Sequence, residues 1–219
     1  MQTFISPIGF DTTSVTRTVM NHGLDGDDVV ILVRPARGVD DDRGSEAVTD
    51  IDQLLQEIDP TIKLQTEELP HDDFEAAVMQ CSELLTNAEG ELVVSLSGGA
   101  RDILLPLTVA AMAHSEALTT TYGFSDIDRN VRELPLPTIT TQLSAGAHST
   151  LTAIADADGE LTIPQLTDRV EAVKSTVTRH VNTLEAADYL NTWLDDRTKH
   201  LSITLSGQLY LATQSSIEN

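Results

Sequence analysis

The sequence predicts an α/β chain in two parts: a Rossmann-like, mostly parallel sheet domain over residues 1–137 and a winged helix-turn-helix domain over residues 147–219, joined by a linker at 138–146. Three observations carry this. Short β-type runs alternate with helical patterns as far as Pro137, which implies parallel strands with right-handed crossovers. VVILV, and the LVV core of ELVVSL, are apolar at successive positions, as strands covered on both faces tend to be. From Ala147 onward the pattern is helical and then switches to period two near Tyr189.

In the first domain the expected strands lie at 3–8, 29–34, 62–67, 92–96, 118–123 and 130–134, with helices at 13–22, 45–58, 73–87 and 100–115. The segment from Leu134 through Gly146, which runs into and includes the linker, has two prolines, Pro135 and Pro137, several Thr and Ser, and no strong period. In the second domain a helix pattern (Leu151, Ile154, Ala155) is broken at Gly159. A short helix then opens at Thr162, with Pro164 in its first turn, where a missing N–H costs little. A longer helix follows. Its Val173, Val177, Val181 and Leu184 form one stripe, and Lys174, Ser175, Thr178, Arg179 and Asn182 share the opposite face. Leu190, Thr192 and Leu194 lead into the polar turn Asp195, Asp196, Arg197, Thr198. The return strand alternates His200, Ser202 and Thr204 with Leu201, Ile203 and Leu205, and Ser206-Gly207 opens a last helix at 208–215.

That order of parts points to double-stranded DNA as a partner. Residues 148–219 hold ten acids against five Lys or Arg, yet Lys174, Arg179, Arg197 and Lys199 all fall on the recognition helix or the wing. Phosphates need cations there, and base edges need donors such as Arg179 and Asn182 on the helix that enters the major groove. The candidate DNA-binding set is Lys174, Ser175, Thr176, Thr178, Arg179, Asn182, Arg197 and Lys199. A winged helix used only for protein interaction is the alternative. The stretches STVTRHVNTLEAADYL and DDRTKHLSITLSGQLYL resemble the regulators of the multiple-antibiotic-resistance and arsenical-resistance repressor types, over about a third of the chain.

A formal net charge of −22 over 219 residues opposes DNA binding at ordinary ionic strength. With 35 acids, only three Lys among thirteen bases, few aromatic residues and abundant Thr, the composition looks like the surface of a protein from an extreme halophile. Molar salt shortens the Debye length to about 3 Å and leaves only close contacts. Intrinsic disorder is excluded, because 40% of residues are apolar and periodic. The single Cys81 falls in the pattern Phe74, Val78, Cys81, Leu85, as a small core residue, and rules out an internal disulfide. The six His show no metal-ligand spacing, so no metal or cofactor is expected. With no charged, apolar leader and no apolar run of about 20 residues, the expected location is the cytoplasm, away from membranes.

Open α/β sheets bind ligands outside the carboxyl ends of their strands. After the first strand comes Ser6-Pro7-Ile8-Gly9-Phe10-Asp11, and after the fourth comes Ser95-Leu96-Ser97-Gly98-Gly99-Ala100-Arg101, opening into a helix. Paired glycines let backbone N–H groups approach an anion, the helix N-terminus adds partial positive charge, and Arg101 supplies a bidentate donor. A tight structural connection is the other reading of Gly98-Gly99. There is no G-x-G-x-x-G, no Walker lysine and no nucleophile elbow.

A Rossmann-like domain with a G-F-D turn after its first strand, a Ser-x-Gly-x-Arg loop after its fourth and a C-terminal winged helix resembles the archaeal CRISPR-associated transcription regulators built on a CARF (CRISPR-associated Rossmann fold) domain. The resemblance in layout spans the chain. It implies a homodimer whose sheet ends form one pocket for a cyclic oligoadenylate, often the tetra-adenylate, in control of CRISPR-associated genes and antiviral defence. Gly9 and Phe10 would line that pocket, and Ser97, Gly98, Gly99 and Arg101 would hold a phosphodiester. Ser6 and Arg34 also follow or end strands and complete the candidate set, although Arg34 reads equally as a surface base. The acidic turn Asp40, Asp41, Asp42 near Arg43 reads as solvated, or as a lid. Because no dedicated general base stands near Ser97 and Arg101, binding without catalysis is expected. A ring nuclease and a sensor of another nucleotide or metabolite are the alternatives.

Overall fold

The computed structural model describes residues 1–36, 42–138, 143–157, 159–170, 172–196 and 198–215, and the chain divides into two compact units, Met1–Leu136 and Pro137–Asn219. Among the described residues of the first unit, strands β1 (Gln2–Pro7), β2 (Val29–Pro35), β3 (Lys63–Leu69), β4 (Glu91–Ser95), β5 (Thr120–Phe124) and β6 (Val131–Glu133) form one sheet in the order β3-β2-β1-β4-β5-β6. The first five are parallel and β6 runs antiparallel to β5. Parallel pairing needs a long crossover, which α1 (Thr13–His22), α2 (Asp42–Ile58), α3 (Phe74–Asn87) and α4 (Arg101–Ala113) supply. The short turn from Phe124 to Val131 allows only a hairpin.

Alternation along each strand sends neighbours to opposite faces. Phe4, Val30, Leu32 and Val93 pack with Val15, Val19 and Ile51 of α1 and α2. Ile5, Ile31, Val33 and Val94 pack with Ala77, Cys81, Ile103 and Leu107 of α3 and α4. Both faces are covered, so the middle of each central strand is apolar at successive positions: Phe4-Ile5, Val29 to Val33 and Leu92 to Val94. His114, the residue that caps α4, places Nε2 2.7 Å from the Ser82 hydroxyl and ties α4 to α3.

The second unit holds α5 (Ala145–Ala155), β7 (Leu161–Thr162), α6 (Ile163–Arg169), α7 (Lys174–Ala186), β8 (Leu190–Asp195), β9 (Thr198–Ile203) and α8 (Leu205–Ser215). β8 and β9 form the wing hairpin, with Leu190 opposite Ile203 and Asp195 opposite Thr198; β7 adds a short third strand beside β9. Leu151, Ile154, Leu166, Val177, Val181 and Leu184 fill the centre with Tyr189 and Leu201. At α6 the Thr162 side chain and Gln165 form a reciprocal capping box, with Pro in the first turn.

Several local expectations are corrected. Val173 precedes α7 as its N-cap and is 68% exposed, so the buried stripe starts at Val177. Leu205 begins α8 instead of ending the strand alternation, and it is exposed because its strand neighbour Ile203 is the last paired residue. α5 opens inside the segment read as linker, because Ser144 caps it by accepting from Ala147 N. Thr138, from the same segment, is buried and its backbone N–H donates to Ser206 Oγ at 3.0 Å. Residues 139–142 of that segment, and Asp40 and Asp41 of the acidic turn, lie outside the described residues. Among the described residues no helix is long and apolar enough to cross a membrane.

Candidate functional site

In the first unit the order of strands reverses between β1 and β4: β1 leads outward to β2 and β3, whereas β4 leads to β5 and β6. Crossovers on the two sides diverge there and leave a crevice at the carboxyl ends. A cavity of about 750 Å³ opens at this place. Ile8, Gly9, Phe10 and Asp11 line it from the loop after β1, and Leu96 to Ala100 from the loop after β4.

The floor is a glycine contact. Gly98 and Gly99 hold φ of 78° and 68°, a left-handed conformation that costs glycine little and other residues much. A Cβ on Gly99 would stand 2.8 Å from Pro7 Cβ, and one on Gly98 would run into the Ser14 side chain. A Cβ on Gly9 would lie 3.3 Å from Gly99 Cα, so the two loops touch backbone to backbone. Ala100, the N-cap of α4, brings no side-chain hydrogen bond to the first turn of that helix. A helix start of this kind suits an anion. The Ser97 hydroxyl accepts from Phe124 N at 2.5 Å and pins the end of β5 to the same loop.

Arg34 reaches the cavity from the end of β2 although it is only 3% exposed, and its guanidinium lies 3.5 Å from Glu68 on β3. On the rim, Arg43 of α2 sets its guanidinium carbon 4.8 Å from the centroid of the Phe10 ring. Hydrogen bonds from the Thr13 hydroxyl and, at 2.8 Å, its N–H hold the Asp11 carboxyl below the usual carboxylate range, with a smaller pull from Arg129. Asp11 is therefore a fixed negative charge at neutral pH.

In the second unit the outer face of α7 presents Lys174, Ser175, Arg179 and Asn182 to solvent, with Thr176 and Thr178 half-buried beside them. Thr178 Oγ1 donates to Lys174 O at 2.9 Å, which turns its hydroxyl back onto the helix. His180, on the flank of α7, places Nδ1 2.9 Å from Thr150 Oγ1 and fastens the helix to α5. On the wing, Lys199 Nζ donates to Glu185 Oε2 at 2.5 Å while Thr192 Oγ1 donates to the other carboxylate oxygen. These two bonds keep the Glu185 carboxyl below its ordinary range. Lys199 thus links the wing to α7. Arg197, expected at the wing tip, lies outside the described residues. Trp193 stacks on His200 with ring centroids 5.6 Å apart.

Residues 2–124 match a family model described as the Csa3 CRISPR-associated Rossmann-like domain. The chain belongs to that family. Residues 149–192, from within α5 to the start of β8, match the IclR helix-turn-helix model, so a Csa3-type domain is fused to a winged helix-turn-helix of the kind found in regulators. Among solved structures, BpsR of Bordetella bronchiseptica, whose DNA binding is regulated by 6-hydroxynicotinic acid, is 22% identical, with 37% of this chain and 60% of that one covered and a TM-score of 0.32. FabT of Streptococcus pneumoniae in complex with DNA is 24% identical, with 35% and 55% covered and a TM-score of 0.32. Csm6 of Enterococcus italicus, bound to cyclic hexa-2′-fluoro-hexa-dAMP, is 12% identical, with 84% and 54% covered and a TM-score of 0.49. The chain thus spans less than two thirds of the length of each of these three. The search of curated proteins gave no match.

Within the Csa3-type domain the cavity gathers Gly9, Phe10, Arg34, Ser97, Gly98 and Gly99. Two other residues singled out in the sequence stand outside its lining. Ser6 is buried in β1 with its hydroxyl donating to Pro7 O at 3.3 Å, and Arg101 is exposed at the start of α4, one residue beyond the lining residue Ala100. The lining also includes Ser14, Gly44, His71, Phe124 and Asp126, which the sequence reading did not single out. His71 and Asp126 follow β3 and β5, so a strict inspection of every strand end would have found them. Gly44, at the start of α2, carried no such signal.

Proposed function

We propose that this protein is a dimeric, ligand-responsive transcription regulator. Its Csa3-type domain binds a cyclic oligoadenylate, the tetra-adenylate in our reading, and its winged helix binds DNA at CRISPR-associated genes. The observation that carries the proposal is the cavity of about 750 Å³ at the β1/β4 crevice, floored by the abutting glycines of two loops, in a chain whose other unit is a winged helix. That volume lies in the range of pockets that bury one drug-sized ligand. A ring of several nucleotides needs more, and a two-fold ligand finds it between two identical subunits.

In this reading Gly98, Gly99 and the first turn of α4 receive a phosphodiester through backbone N–H groups. Arg101 adds a cation at the rim, and Gly9, Phe10, Ser97 and Arg34 shape the walls. Ser6 supports the first loop from within β1. On DNA, Arg179 and Asn182 read base edges, while Lys174, Ser175, Thr176, Thr178, Arg197 and Lys199 serve phosphates and helix placement. A ligand shifts DNA affinity by favouring one arrangement of the two reading heads.

The test is calorimetry with cyclic tetra-adenylate in molar potassium chloride, paired with a promoter-binding assay. The expected result is one ring per dimer, weakened by Arg101→Ala with DNA binding retained. Arg179→Ala should instead lose DNA binding while ligand affinity stays within about twofold, the scatter of independent sites. Absence of heat with rings of any size would overturn the ligand assignment.

A further inference from the structure

Resting on the nucleotide-ring reading of the cavity, we infer that Phe10 and Arg43 form a base-stacking platform at its rim, with the adjoining phosphate seated at Gly98 and Gly99. Phe10 is 63% exposed. Other apolar side chains of this domain, Phe74 and Ile127 among them, are exposed too, but Phe10 is set apart by lining the cavity. The ring is also oriented: Arg43, in the first turn of α2, holds its guanidinium carbon 4.8 Å from the ring centroid.

The platform stands at a fixed place relative to the anion cradle. Gly9 directly precedes Phe10 and abuts Gly99, whose left-handed backbone forms the floor. An apolar π-face one residue away from converging backbone N–H groups is the juxtaposition a nucleotide requires, the base on the ring and the phosphate on the amides. Charge decides which end is which. Asp11, next to Phe10, lines the same cavity, and its ionised carboxylate accepts hydrogen bonds but repels phosphate, while the Arg43 guanidinium faces the Phe10 ring. The phosphate therefore goes to the glycine end, and the base, which carries N–H donors, goes to the Phe10 end.

The test titrates the full-length protein with cyclic tetra-adenylate and, separately, with adenosine 5′-monophosphate at millimolar concentration. It uses wild type, Phe10→Leu, Phe10→Trp and Arg43→Ala. A lost stack is expected to weaken binding about tenfold in Phe10→Leu and less in Arg43→Ala, while Phe10→Trp retains or improves it. In a Trp193→Phe background the tryptophan of Phe10→Trp should be quenched on ligand addition, a signal that a purely structural Phe10 would not give. Ring binding that is unchanged in Phe10→Leu, with no quenching, overturns the platform and leaves the proposed function standing. Phe10-dependent binding of the mononucleotide without ring binding supports the platform and overturns the ring. No binding of either probe overturns both.

Discussion

At the scale of single residues, burial and hydrogen bonding set chemical behaviour that composition alone does not disclose. Cys81 is fully buried between α3 and the sheet, and burial pushes its thiol up to about 12. The folded protein should therefore fail to react with a disulfide reagent at pH 8 and react with one equivalent after denaturation; rapid native labelling would contradict the core placement. Glu185 behaves in the opposite sense. Its folded carboxyl is depressed by bonds from Lys199 and Thr192, so the stabilisation it gives is present above the ordinary glutamate range and is lost as pH falls through the depressed value. The difference in urea midpoint between wild type and Glu185→Gln should be largest near neutrality and vanish in acid. Because the pair is solvent-exposed, the difference should be small and should shrink in salt. Lys199 was legible as a wing cation. Its engagement with α7 was not, because residues fourteen apart meet only through the hairpin.

At the scale of elements, the strongest local sequence signal was the start of α6. Thr162 followed by Pro164 in the first turn marked this helix start, and the structure adds Gln165, whose side chain and N–H bond reciprocally with Thr162. Thr162→Ala should cost about 1 kcal/mol and lower the melting temperature of the winged unit by roughly 4–8 °C, with Thr162→Ser restoring most of it. An unchanged melting curve would show that the cap is redundant with the β7 pairing to β9. Element limits elsewhere were less legible where capping lay outside the periodic residues. α5 begins at Ala145 because Ser144 caps it, and Val173 was assigned to a stripe whose buried members start one turn later. Both errors sit at helix N-termini, where side-chain periodicity stops carrying information but backbone geometry has not yet become loop-like.

At the scale of the whole molecule, the net charge of −22 is a self-repulsion that screening relieves. The melting temperature should rise steeply between dilute buffer and molar potassium chloride. DNA affinity should weaken with salt far less than the cation count on α7 and the wing alone would imply, since salt also screens repulsion between the acidic surface and phosphate. A steep conventional loss of DNA affinity with salt would argue that the acids are too far from the duplex to matter. Equilibrium melting in a salt series and a binding isotherm at matched salt concentrations read both.

The sequence by itself determined the alternation of strands and helices, the apolar character of the central strands, the glycines after β1 and β4 and the order of parts in the winged helix. Each depends on residues close together in the chain, through periodicity, turn chemistry or capping. Only the tertiary structure decided that β1 and β4 are neighbours, so that Gly9 meets Gly99, and that Arg34 turns inward toward Glu68 while Arg101 stays at the surface. It alone set Arg43 over Phe10. These contacts join residues tens of positions apart, and their geometry follows from the order of strands in the sheet, which local pattern constrains but does not specify.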